Sequence, residues 1–250
     1  MKNFIRIDNI DTPVYRIMPL HRLGELFKNR ELVLVRPKLW DDPFENFFLK
    51  STFLLQDGTE VSADKIADSW YGQCWTTNSD TDAMWRIYSQ DKQSLRIKTT
   101  IRKLADAMWD KNDAHSSSKY HIGSVAYKPV SEIDDFRKNT GFMELTMGAG
   151  TSRLAETLLT KRQEFSHESE IRLLYFDTEN NSHLKQANIH PIHVDPTSLI
   201  DEVCIDPRID DAIDIEALTK KIRRLGFSGS ITQSTLYQFE PARVPPSPTP

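Results

Sequence analysis

The stretch His167-Glu168-Ser169-Glu170-Ile171-Arg172-Leu173-Leu174-Tyr175 constrains this chain more than any other, because it sets a charged row against an apolar one within a single strand length. Strand side chains alternate, so Glu168, Glu170 and Arg172 are predicted to point to one face while Ser169, Ile171 and Leu173 point to the other. Like charges side by side on a sheet face repel. The array therefore calls either for a solvated face on which Arg172 pairs with a glutamate, or for a cleft in which a carboxylate is poised.

At the other end of the chain, Val14-Tyr15-Arg16-Ile17 reads as a strand ahead of a helix over Pro19 to Asn29 and a second strand over Glu31 to Val35. Leu20, Leu23, Leu26 and Phe27 form one helical stripe, and proline suits a first helical turn. Further strands are predicted at Gln73 to Thr76, Leu95 to Lys98, Gly123 to Tyr127, Glu170 to Phe176, Ile189 to Val194, Asp201 to Ile205 and Ser230 to Thr232. Helices are predicted at Thr81 to Tyr88, Thr100 to Trp109, Gly150 to Glu164 and Ile213 to Leu225. Lys111 to Lys119 reads as a polar loop and Glu179 to Ser182 as a turn.

A chain of 250 residues, 38% hydrophobic and 27% charged, suits one large domain, taken as residues 1–240. Residues 241–250 contain five prolines and read as a polyproline-like tail. A net charge of −4 excludes a global basic field. Cys74 and Cys204 stand far apart, which argues against a zinc knuckle or a secreted disulfide framework and fits a reducing cytoplasm. No apolar run is long enough for a signal peptide or a membrane span.

Four motifs, in order, resemble the uncharacterised bacterial family of domain of unknown function 2971: Tyr15-Arg16, Asp41-Asp42-Pro43-Phe44-Glu45, Met84-Trp85-Arg86-Ile87-Tyr88, and Lys161 through Glu168-x-Glu170-x-Arg172. The resemblance spans roughly residues 13 to 238. Phe165 stands where that family usually has Trp, and Gln93-Ser94-Leu95 replaces its usual Gly-Val. A weaker resemblance, to the ADP-ribosyltransferase superfamily, rests on Arg16, then Tyr88 or Ser89, then Glu168-x-Glu170. It implies a single α+β domain with a split antiparallel or mixed sheet and flanking helices. NAD would be the donor substrate and a protein, RNA or DNA the macromolecular acceptor. Glu170 and Glu168 would be catalytic, and Tyr15, Arg16, Trp85, Tyr88 and Ser89 would bind NAD. It further implies a toxin or phage-defence setting, with an antitoxin or regulatory protein as partner. Around one dinucleotide, Arg16 and Glu170 are expected on one sheet face.

Other patterns have plainer readings. His190 and His193 have metal-like spacing, but on a strand they face opposite sides. The Asp41 to Glu45 cluster could hold a cation through oxygen ligands, but reads better as a turn in which Asp42 bonds backbone amides. Trp70, Trp75 and Trp109 read as packing. Two rival functions stand beside the transferase: a metal-dependent nuclease built on Asp42 or Glu45 with Glu168, Glu170 and Arg172, and a non-enzymatic partner module whose charged strand is an interface.

Overall fold

Apolar runs of strand length become the frame of the fold. The computed structural model describes residues 3–40, 42, 44–45, 47–55, 57–109, 116–141, 151–178 and 188–243. In chain order its strands are β1 (Phe4–Ile5), β2 (Pro13–Pro19), β3 (Glu31–Val35), β4 (Thr52–Leu54), β5 (Glu60–Ser62), β6 (Trp70–Thr76), β7 (Ser94–Thr100), β8 (Tyr120–Ser124), β9 (Ala126–Lys128), β10 (Thr160–Arg162), β11 (Glu170–Phe176), β12 (Ile189–His193), β13 (Glu202–Ile205) and β14 (Ser230–Gln233). Ten of them join in one mixed sheet of order β1-β8-β11-β6-β2-β7-β13-β14, with β3 and β12 attached through β6.

The sheet divides at β6. One edge of that strand is paired with β11 over its whole length, from Glu170 opposite Thr76 to Phe176 opposite Trp70. Its other edge is shared: Thr76 meets Tyr15 of β2, and Gly72 meets Val35 of β3. Two branches therefore leave one strand, β2-β7-β13-β14 and β3-β12. This is the split mixed sheet that the superfamily resemblance implies.

Both faces are covered, so neighbours on β11 enter different cores. Leu173 packs with Val14, Leu95, Ile97 and Trp75 beneath helices Leu20–Asn29 and Ile101–Met108. Leu174 packs with Trp70, Phe48, Leu154 and Leu158 on the opposite side. Helix Leu20–Asn29 buries Leu23 and Leu26 and stops at Arg30, whose left-handed backbone (φ 56°) returns its N–H to the Leu26 carbonyl.

Three expected elements are corrected. The predicted loop over Lys111 to Lys119 is helical at Ser116–Lys119. The predicted helix over Gly150 to Glu164 ends at Leu158, and Thr160–Arg162 instead pairs in parallel with Ala126–Lys128. The predicted strand over Gly123 to Tyr127 is interrupted at Val125, because β8 belongs to the large sheet and β9 to this small one, while the Val125 N–H goes to the Glu170 carbonyl. Neither change of partner has a periodicity signature. Asp41, Pro43, Gly150, residues 111–115 of the predicted polar loop, the turn at 179–182 and residues 244–250 of the tail lie outside the described residues.

Gly72 is required by a close approach rather than by a turn. A Cβ there would stand 2.7 Å from the Trp40 ring, and that ring covers the guanidinium of Arg172 at 4.4 Å. Gly72→Ala should therefore push the indole off Arg172 and destabilise the protein by about 1–3 kcal/mol, the usual range for overpacking. Urea unfolding reads this as a lower midpoint; an unchanged midpoint would show that the ring is free to move aside.

Candidate functional site

Glu170 opens β11, and the residue before it sets the geometry. Ser169 is left-handed (φ 45°) and ends a 3₁₀ turn over Gln163–Glu168, so Glu168 is not on the strand, contrary to the simple alternation. The turn is pinned by the end of β6: the Thr76 hydroxyl donates to the Glu168 carbonyl at 2.6 Å, the Asn78 amide to His167 at 2.6 Å, and the Thr77 N–H to Ser169 at 3.0 Å. Glu168 and Glu170 thus converge without sharing a strand.

Two cations answer Glu170, and one of them also reaches Glu168. Arg172, fully buried, donates through Nε to Glu170 at 2.8 Å, through Nη2 to Glu45 at 2.7 Å and to Glu170 at 3.2 Å, and through Nη1 to the Leu158 carbonyl at 2.7 Å. Lys161, brought in on β10, places its ammonium on Glu45 at 2.9 Å, Glu170 at 2.7 Å and Glu168. Its charge also lies 4.5 Å from the Phe165 ring, the aromatic that replaces tryptophan in the motif. The Glu170 N–H donates to the Tyr127 hydroxyl at 2.9 Å, and the Tyr88 hydroxyl stands 3.5 Å from Glu168.

The charge states follow from this arrangement. Burial pushes the Glu170 carboxyl up, but Arg172, Glu168 and Lys161 outweigh burial and hold it well below the ordinary range. Glu168 goes the other way, pushed up to about 7 by burial and by its hydrogen bond to Glu170, with Lys161 opposing. Burial would lower the Lys161 ammonium, but the glutamates reverse that and keep it firmly charged.

A cleft of about 130 Å³ lies where β2 parts from β6, lined by Tyr15, Arg16, Cys74, Met84, Tyr88, Glu168 and Glu170 among others. Five of the seven residues singled out from the sequence meet here. Trp85 and Ser89 do not. On helix Asp82–Tyr88, Met84 and Tyr88 share one face at a spacing of four, and Trp85 and Ser89 occupy the next. Trp85 is fully buried and donates to Asp80 at 2.6 Å, and Ser89, equally buried, bonds Asp206.

The expectation for Arg16 is corrected. Tyr15 pairs with Thr76 and Thr76 with Glu170, so Tyr15 shares the face of Glu170 and alternation sends Arg16 to the other. Arg16 still borders the cleft, because β2 and β6 share one paired position and the opening lies in the parting between them. Burial lowers its pKa, partly offset by Cys74 and Tyr88, and no hydrogen bond or ion pair engages its guanidinium among the described residues.

Other expected features have settled places. Asp42 forms the turn, accepting from the Phe44 N–H at 3.0 Å and from Arg162 at 2.9 Å. His190 stacks on Tyr175 at 3.7 Å, while His193 is exposed. Among the described residues no group of three His, Cys, Asp or Glu is arranged to hold a metal, and the place a cation would take between Glu45, Glu168 and Glu170 holds the Lys161 ammonium. No described helix is long and apolar enough to cross a membrane. Lys161 is the site residue to which the sequence assigns no task, and Glu45 is one it offers beside the Glu-x-Glu pair only as a metal ligand. Both stand in the motifs, and that was the signal available.

Residues 84–173 match the family model for a protein of unknown function, DUF2971. No curated protein matches the chain. Among solved structures, Thermus sp. 2.9 DarT in complex with NAD+ is similar at 10% identity and a TM-score of 0.41, over 90% of this chain and 96% of that one. The same protein in complex with ADP-ribosylated ssDNA is similar at 9% identity and a TM-score of 0.40, over 93% and 97%.

A group whose folded pKa is raised adds stability below its unfolded value and loses it as pH rises through the folded one. For Glu168 that window runs from about 4.5 to about 7. Relative to Glu168→Gln, the wild-type protein should lose thermal stability as pH rises across this window. Parallel melting curves from pH 5 to 8 would show that Glu168 does not titrate there.

Proposed function

We propose that the cleft binds the nicotinamide end of NAD and that the protein transfers ADP-ribose to a macromolecular acceptor. The observation that carries this reading is Glu170: a carboxylate fixed by Arg172 and Lys161, held ionised, at the wall of a cleft with room for one ring. At about 130 Å³ the space is below the roughly 300 Å³ of sites that enclose whole drug-sized ligands. The adenosine end would therefore lie along the open mouth.

Each lining group has a task. When the bond between ribose C1′ and nicotinamide breaks, its electron pair leaves with the ring nitrogen and positive charge develops on the ribose. Glu170 faces that charge with an anion already oriented, the arrangement that lowers such barriers most. Tyr15 and Tyr88 offer aromatic faces to the ring. Arg16, without a counter-charge among the described residues, suits the pyrophosphate. The acceptor's nucleophile then bonds C1′, and its proton passes to Glu168, which lines the cleft and carries the higher pKa. A protein, RNA or DNA acceptor and a toxin or phage-defence role, checked by an antitoxin, belong to this reading through the superfamily resemblance.

Two measurements test it. Titrating NAD by calorimetry should show binding to the wild type and weaker binding to Arg16→Lys, since an ammonium lacks the planar fork that a phosphate pair engages. In NAD turnover, Glu170→Gln should abolish both hydrolysis and transfer, a loss of about 3 kcal/mol or more of transition-state stabilisation, while Glu168→Gln keeps hydrolysis. No binding at millimolar NAD would refute the proposal, and equal losses in the two glutamine variants would refute the division of labour.

A further inference from the structure

Three carboxylates, Glu45, Glu168 and Glu170, crowd one buried point, and Arg172 touches two of them. Its Nη2 and Nε reach Glu45 and Glu170, and no bond from it to Glu168 is formed. Among the described residues Lys161 alone contacts all three. We propose that Lys161 is a positioning residue: its ammonium locks Glu168 beside Glu170 at the cleft and keeps Glu168 able to give up and take back a proton.

The physical argument is one of charge. With Arg172 committed to Glu170 and Glu45, an ionised Glu168 would face a second carboxylate in a dry site, and like charges at that distance force one of them to stay protonated. A permanently protonated Glu168 could accept nothing from an incoming nucleophile. The ammonium supplies the missing positive charge, at a point fixed by β10 and by the Phe165 ring below it. The other described groups facing the pair do not supply it: Tyr88 and Tyr127 are neutral phenols, their ionisation pushed far up by burial and the glutamates, and burial likewise keeps Cys74 a thiol. Arg16 borders the cleft but bonds neither glutamate. The parallel pairing of β9 with β10 thus has a use: it carries Lys161 in from outside the large sheet, and Tyr127, on the partner strand, holds the Glu170 backbone.

The titration readout stands whether or not NAD is the substrate; only the kinetic readout rests on that reading. Carbon-13 NMR of labelled glutamate in the wild-type protein should show one carboxyl titrating near neutrality, and the Lys161 side-chain nitrogen should shift with the same midpoint. In Lys161→Met that midpoint should move upward by about 1–3 pH units, as removal of an adjacent opposite charge requires. The charge-balanced double variant Glu45→Gln, Lys161→Met should do the same and spares the fold an uncompensated carboxylate. In kinetics, the acidic limb of kcat for ADP-ribose transfer should move with the midpoint, with KM for NAD little changed. A Lys161 nitrogen indifferent to the carboxyl titration, or a midpoint unmoved in a folded variant, would overturn the proposal. Moved midpoints in a protein that does not cleave NAD would uphold it and overturn the assigned reaction instead.

Discussion

Arg172 is the interaction on which the rest depends. A guanidinium with no exposed surface is tolerable only when its charge and its N–H groups are answered, and here they are met by Glu170, Glu45 and the Leu158 carbonyl, with the Trp40 ring across its face. Each partner fixes something else. Glu170 becomes an oriented, ionised carboxylate, Glu45 ties the early acidic turn to the late strand, and Trp40 requires Gly72. Removing one partner of such a pair usually costs about 3–5 kcal/mol, because the other charge is left buried and alone. The same bonds therefore hold the core and set the chemistry.

The second constraint is the division of the sheet at β6. A strand edge offers one row of backbone groups, and here two strands share it, β3 near Gly72 and β2 near Thr76. Neither can run the full length beside β6, so the sheet opens. The cleft occupies that opening with Glu168 and Glu170 at one side and Arg16 at the other. Helix Asp82–Tyr88 closes it from above with Met84 and Tyr88, and is itself held by Asp80, Asp206 and Arg208 through Trp85 and Ser89. Those two residues serve the site by fixing the helix.

Much of this is legible in the sequence itself. The strand Glu170–Phe176 and the helix Leu20–Asn29 follow from period two and period 3.6 in the apolar residues, and the Asp42 turn follows from side-chain chemistry next to a proline. The apolar row behind Glu170 and Arg172 was equally plain. Local logic fails across a junction: alternation carries the strand back to Glu168, two residues before it starts, and helical periodicity runs on through residues 160–162, past the helix end at Leu158.

The sequence by itself determined most of the long strands of the large sheet and the helices at Leu20–Asn29, Asp82–Tyr88, Ile101–Met108 and Ala212–Arg224, that one strand carries charge on one face, and which side chains have chemistry to offer. These are properties of neighbours within a few residues, and periodicity records them. Only the tertiary structure decided that Lys161 would sit among three glutamates, that Glu45 would cross to Arg172, and that Arg16 would meet the cleft from the face opposite Glu170. Those contacts join residues far apart in the chain. They depend on which strand edge each segment finds, and no short-range pattern encodes that choice.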